Sequence, residues 1–253
     1  MKLIKILKYY FHILLLMFLN IKTISYHHKY FFIKLKNNTV FKIRNFMDLW
    51  TLTETYLNSD YEKHGDKLGV NWTIIDIGAA FGDFSVFAAQ KSSLNQIIAI
   101  EPLPSSQRLF RQNIRMNKLK NIIIFSGGIS STQNKINIAE NNKNYGHSQT
   151  SSTSSFCVDA ISLPKLFSKY NLKHCHLIKC DCEGTEYDIF SNVPSSIYAK
   201  IDRIVMEYHL FDFDSQQKFQ RLKSIFKKNN YRLKISPNPV HSNLGFLYAF
   251  RKN

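Results

Sequence analysis

Short apolar runs recur along this chain, and their spacing predicts alternating strands and helices. Residues 73–77 carry Ile74, Ile75 and Ile77, a run short enough for a strand buried on both faces. A glycine-bearing turn follows, and Phe84, Val86, Phe87 and Ala88 then supply a mostly apolar helix. Further strands are predicted at 96–101, 121–125, 176–181, 201–208, 231–235 and 244–250, with a short pairing strand at 135–139. Helical patterns fill 104–117, 163–170, 185–191 and 215–228. Such alternation predicts an α/β domain on a mostly parallel sheet, with an antiparallel strand in the last pair. Residues 141–155, rich in Asn, Ser and Thr and without apolar periodicity, read as a loop or flap.

Two β-rich runs, 30–36 and 39–44, precede that domain, separated by Asn37 and Asn38. Asparagine tolerates the positive φ of a tight turn, so a hairpin is expected there. Asp48 is placed to cap a helix running to about Ser59 that buries Leu49, Leu52, Tyr56 and Leu57. At the start, Lys2, Lys5 and Lys8 precede an apolar run at 9–19, shorter than the roughly 20 residues of a membrane span. It has the charged start of a signal peptide, but no small-residue cleavage site follows Asn20. The expected organisation is a basic, apolar helix at 1–22, a lead-in hairpin and helix at 23–69, and the main domain at 70–253. The first helix is expected to pack on the domain or to meet a membrane surface through residues 1–21, with a signal anchor as the lesser alternative.

Charge changes this picture more than composition does. The net charge of +16 is concentrated at the two ends: residues 1–47 hold nine Lys/Arg and no acid, as do residues 215–253. The middle is nearly balanced, with 16 Lys/Arg against 18 Asp/Glu. Basic ends suit anionic lipid, nucleic acid or a phosphorylated substrate, or simply solvate the surface. Four cysteines without regular spacing point to buried, reduced thiols and a cytoplasmic setting rather than a disulfide framework or a zinc site.

Candidate chemistry gathers where strands end. In Asp76-x-Gly78-x-x-x-Gly82 the glycines let the backbone curl and approach a ligand. The dinucleotide fingerprint does not fit, because Ala80 and Asp83 stand where its second and third glycines belong. Asp83 near a helix start would also repel a pyrophosphate. The turn resembles instead the first motif of class I S-adenosylmethionine-dependent methyltransferases, which makes Asp76, Gly78, Ala79 and Gly82 candidate cofactor positions. Glu101 ends the second strand, 23 residues after Gly78, where an acid can accept hydrogen bonds from both ribose hydroxyls. Asp181 ends the fourth strand and should face the same crevice.

With Glu183, Gly184 and Glu186, Asp181 forms Asp-x-Glu-Gly-x-Glu. Carboxylates this close repel one another unless they bind a cation or share protons. His209 ends the fifth strand after Glu207 and is the first candidate for the base that an alcohol acceptor needs. Glu183 is its competitor, with Glu186. Their use would suggest that a divalent metal positions the substrate, although no metal is predicted. His147 could line the acceptor mouth, but a solvated loop histidine is the stronger reading.

Taken together, these segments resemble the FkbM family of S-adenosylmethionine-dependent methyltransferases. The matching stretches are 75–82, 100–102, 177–186 and 205–209, and Lys179-x-Asp181-x-Glu183-Gly184-x-Glu186 is the most particular. Arg44 and Asp48 resemble that family's lead-in. The resemblance covers about 33–251. It implies a Rossmann-like fold with a mostly parallel seven-stranded sheet and helices on both faces, here preceded by an amino-terminal helix and hairpin. It also implies O-methylation of a sugar or natural-product hydroxyl with S-adenosyl-L-methionine as cofactor. Ala80 departs from the polar residue often found in the family's first motif.

Two other functions compete. A nucleic-acid methyltransferase would use the basic ends for phosphate contacts, but the Asn/Asp-Pro-Pro-aromatic motif and a Pro-Cys nucleophile are absent. A non-catalytic, membrane-associated binding module is disfavoured by Asp76, Glu101 and Asp181 all falling at strand ends. The expected partner is a small-molecule or glycan acceptor.

Overall fold

A computed structural model describes residues 2–63, 67–140, 154–182, 185–241 and 243–252. Helix α1 (Lys2–Asn20) leads directly into β1 (Ile21–His27), β2 (Tyr30–Leu35) and β3 (Val40–Ile43), a three-stranded antiparallel sheet. The β2–β3 hairpin turns where expected, with Asn38 at φ +69°. The β1–β2 hairpin was not expected; its turn is His28 and Lys29, both at positive φ as a tight two-residue turn requires. Next comes α2 (Phe46–Leu52), capped by the Asn45 side chain, which accepts from the Asp48 amide. Asp48 is therefore not the cap. Its carboxylate takes Arg44 from Nε and Nη2, each at 2.8 Å. The helix gives way to a π-helical turn at Thr53–Leu57 and a 3-10 turn at Asp60–Glu62, and so ends short of Ser59.

The main sheet alternates strands with helices: β4 (Thr73–Ile77), α3 (Asp83–Lys91), β5 (Gln96–Glu101), α4 (Pro104–Met116) and β6 (Ile122–Ser126) come first. A small side sheet follows, made of β7 (Gly128–Ile129), β8 (Lys135–Glu140) and β9 (Ser154–Ile161). Then come α5 (Leu163–Lys169), β10 (Leu177–Cys180), α6 (Glu186–Ser191), α7 (Ser195–Tyr198), β11 (Arg203–His209), α8 (Phe213–Lys228), β12 (Tyr231–Pro237) and β13 (Leu244–Arg251). The large sheet has seven strands in the order β12-β13-β11-β10-β4-β5-β6, and only β13 runs antiparallel to its neighbours. It is the Rossmann-like sheet that the resemblance implied. Residues 141–153, with His147, and also Glu183 and Gly184, lie outside the described residues.

Period-two burial explains why β4, β5, β10 and β11 read as unbroken apolar runs. Ile74, Ile97, Leu177 and Val205 pack towards α3 with Phe84 and Phe87. Ile75, Ile98, Ile178 and Ile204 point the other way, onto Leu166, Tyr187, Phe190 and Phe226. Both faces are thus covered by helices, as a parallel sheet demands. The lead-in packs outside α3 and α4: Ile33, Leu35, Phe41 and Ile43 meet Phe81, Val86 and Leu109. Cys175 and Cys180 are buried free thiols as expected, whereas Cys157 on β9 is exposed.

Candidate active site

The carboxyl ends of β4, β5, β10 and β11 lie side by side, which brings the glycine turn, Glu101, Asp181 and His209 to one edge. Gly78 sits at φ +75°, and a Cβ there would clash with the Asp181 carbonyl oxygen. Gly82 sits at φ +88°, and its Cβ would enter the Phe110 ring. Neither position accepts a side chain, so the turn is tight because glycine is required twice. Between them Ala80 also has positive φ, +47°. Its amide donates to Glu101 Oε2 at 2.7 Å, a bond that holds the less favoured backbone in place. Ala79 turns inwards against Ala99 and Phe110, so it lines the core rather than the crevice.

Glu101 also accepts from the Leu103 amide on Oε1 at 2.8 Å. Burial pushes its carboxyl up to about 7, with the two amides, Arg44 and Lys179 pulling the other way. Each carboxylate oxygen has two lone pairs and spends one on a backbone amide, which leaves one apiece for a ribose hydroxyl. Asp76 is placed differently from a ligand-contacting acid. It is wholly buried, its Oδ2 accepts from Ser85 Oγ at 2.6 Å, and the Lys179 ammonium stands 3.2 Å from its Oδ1. Lys179 also donates to the Gly78 carbonyl at 2.7 Å. Burial works against that ammonium, yet Asp76, Asp181 and Asp83 hold it well above the ordinary lysine range. Asp83, at the start of α3, is pushed up to about 6 by burial despite Lys179 and a Thr55 hydrogen bond.

At the end of β11, His209 Nδ1 faces Glu186 Oε1 at 3.2 Å, and both side chains are buried. The Cys182 amide donates to the same carboxylate oxygen at 2.9 Å. Tyr187 fixes the end of β11, its hydroxyl donating to the His209 carbonyl at 2.8 Å and accepting from the His209 amide at 3.2 Å. Burial lowers the affinity of His209 for its proton, but the hydrogen bond and charge of Glu186, with Asp181 and Glu207, overcome this and push the imidazole up to about 10. Asp181 accepts from the Tyr61 hydroxyl at 3.4 Å. Asp181, Glu186 and His209 each offer a ligand atom within 4.8 Å of the others, close enough to share a divalent cation. An imidazolium at His209 already supplies one positive charge there.

Of the residues read from sequence, Gly78, Gly82, Glu101, Asp181 and His209 meet at this edge. Asp76 braces the turn from behind, and Glu183 falls outside the described residues. Lys179 as the brace and Tyr61 as the partner of Asp181 were not legible as such in the sequence. Lys179 carried a signal, a lone cation inside an apolar strand, which is rarely buried unless paired. Tyr61 carried none.

A sequence model of the methyltransferase FkbM domain matches residues 76–233, which run from the buried Asp76 through β12. The chain belongs to the FkbM methyltransferase family. It is similar to Methyltransferase 1 of Beauveria bassiana, 21% identical over 185 residues that cover 64% of this chain and 73% of that one. Among solved structures it resembles Methyltransferase FkbM from Methylobacillus flagellatus, with a TM-score of 0.53 and 14% identity over 80% of this chain and 53% of the other. It also resembles a fibrillarin from Aeropyrum pernix with natively bound S-adenosyl-L-methionine, with a TM-score of 0.51 and 11% identity over 90% and 98% of the two chains. At such identities these structures speak for the fold alone.

The edge described above suits S-adenosylmethionine as a cofactor. The positive-φ turn, the spare lone pairs of Glu101 and the surplus of carboxylates match a ligand with a ribose, an ammonium and a sulfonium. Titration calorimetry should show binding of S-adenosylhomocysteine and not of NAD. Glu101→Ala should weaken that binding by about 1.5–3 kcal/mol, the range for hydrogen bonds to a charged group. Saturable NAD binding without a response to S-adenosylhomocysteine would reverse the reading.

Proposed function

We propose that this FkbM methyltransferase methylates a hydroxyl oxygen on a sugar or natural product, with the imidazole of His209 taking the hydroxyl proton. The observation that carries this is the buried facing of His209 Nδ1 and Glu186 Oε1 at 3.2 Å. Glu186 orients the ring, which leaves Nε2 as the atom that accepts the proton. Bound S-adenosylmethionine supplies an electrophilic methyl group on a sulfonium. An alcohol is a weak nucleophile at neutral pH, so proton removal as its oxygen attacks speeds the displacement. The glycine turn and Glu101 hold the donor's position, and Asp181, Glu186 and His209 frame the acceptor.

Nucleic acid is the poorer acceptor. Asp181 and Glu186 lie within 4.8 Å of His209 and of each other, and two carboxylates so close do not favour a phosphodiester backbone. Neutral hydroxyl compounds meet no such penalty.

The first test is product analysis: labelled S-adenosylmethionine with a panel of free sugars and hydroxylated natural products should yield a methyl ether. Methylation confined to nitrogen or to RNA would refute the assignment. Once an acceptor is found, its pH profile tests the base. The groups facing His209 are Glu186 on α6, Asp181 after β10 and Glu207 on β11, and they raise its proton affinity to about 10. His209 must be neutral to act, so the rate should climb roughly tenfold per pH unit below that value rather than level off near 7. Glu186→Gln removes the strongest raising influence and should move the rise to lower pH. A profile flat from 6 to 9 would exclude His209 as the base.

A further inference from the structure

Helix α1 is apolar on opposite sides, and the protein covers only one of them. Ile13 and Met17 are buried, and on the same helix Tyr9 donates to Glu54 Oε1 at 2.8 Å. Leu7, Phe11, Leu14 and Phe18 lie at the i, i+4, i+7, i+11 spacing of one helical stripe and are 61%, 67%, 60% and 81% exposed. That stripe is about 17 Å long at 1.5 Å per residue. Beyond it, Ile24 and Tyr26 of β1 are also exposed. Contiguous apolar surface of this kind marks a docking face.

Charge selects the occupant. Residues 1–47 carry nine Lys/Arg and no acid, and Lys8, Lys22 and Lys29 are exposed close to the apolar residues in sequence. A second copy docking stripe to stripe would bring two such cationic segments together with no carboxylate of their own to pair with. Anionic headgroups would instead neutralise them while the acyl boundary takes up the leucine and phenylalanine side chains. No described helix is long and apolar enough to cross a membrane, so the helix would lie along the surface. We propose that α1 is an interfacial helix that seats this protein on an anionic lipid surface through Leu7, Phe11, Leu14 and Phe18. The covered side of α1 is tied to the segment that bonds the glycine-turn helix: Tyr9 holds Glu54, and the next residue, Thr55, bonds Asp83.

The test is co-sedimentation of the full chain with vesicles of phosphatidylglycerol and phosphatidylcholine, against phosphatidylcholine alone. The parent should pellet with the anionic vesicles, and added salt should release it. The Phe11→Glu/Phe18→Glu double variant should lose at least about tenfold in vesicle affinity. Its melting temperature and S-adenosylhomocysteine binding should stay at parental values, because neither ring is buried. Three outcomes overturn the proposal: a parent that stays in the supernatant, a double variant that binds as well as the parent, or equal binding to neutral vesicles. A parent dimer in sedimentation velocity that the double variant dissolves would also overturn it, by assigning the stripe to a second copy.

Discussion

His209→Ala is expected to slow methyl transfer by about 10²–10⁴-fold, the usual consequence of removing a general base, while cofactor affinity stays nearly unchanged. The separation follows from position. His209 ends β11, one strand beyond β10 from the glycine turn, and its ring contacts Glu186 and Phe211 rather than Gly78 or Glu101. Loss of turnover without loss of S-adenosylhomocysteine binding therefore reports on the acceptor side alone. The deficit should be largest at alkaline pH, where the parental imidazole is neutral more often. An active His209→Ala enzyme whose parent is silenced by a chelator would move the role to a cation held by Asp181 and Glu186.

Lys179→Met should be the most damaging single change to stability. The ammonium is almost fully buried between Asp76 and the Gly78 carbonyl. Its removal leaves Asp76 charged, buried and held by Ser85 alone. Breaking a buried pair from one side costs about 3–5 kcal/mol, or roughly 6–20 °C in melting temperature for a chain of this size. The companion change separates a stranded charge from lost packing. Lys179→Met with Asp76→Asn removes both charges, so the double variant should recover much of the loss. If the two losses simply add, the pair is not what holds the turn.

The parts of this fold legible in the sequence are those with a local signature. β5 falls at 96–101 because Ile97, Ile98 and Ile100 form an apolar run, closed by Glu101 and Pro102. The glycine turn was readable because Gly78 and Gly82 both occupy φ values that glycine alone takes easily. β1 was invisible for the opposite reason. Every residue after Ile21 in it is exposed, so no alternation marks it as a strand. β9 opens in the Ser/Thr-rich stretch that reads as a loop, and its pairing with β8 comes from register rather than from an apolar code. Asp48 looked like a helix cap because an acid near a helix start ordinarily is one; Arg44 claims it instead.

The site divides in the same way. Glu101 and Asp181 could be read from strand ends, since the order of a parallel sheet brings those ends together. The facing of His209 and Glu186 spans 23 residues and depends on α6 and β11 lying over the same edge, which no motif spacing encodes. Tyr61 reaches Asp181 from 120 residues away, on a short 3-10 turn without periodicity.

The placing of β13 has a consequence for how the enzyme is made. Although it is the last strand of the large sheet to be synthesised, β13 lies inside that sheet, between β11 and β12. Its Tyr248 donates at 2.6 Å to the carbonyl of Asp60, next to Tyr61. A growing chain can therefore form the β4–β5–β6 half early, from neighbouring segments. The support that Phe246 and Tyr248 give to Tyr61 and Asp60 comes only after the last strand has left the ribosome and entered between its neighbours. Through most of synthesis the nascent protein can therefore hold its glycine turn while the contacts that fix Asp60 and Tyr61 still await β13.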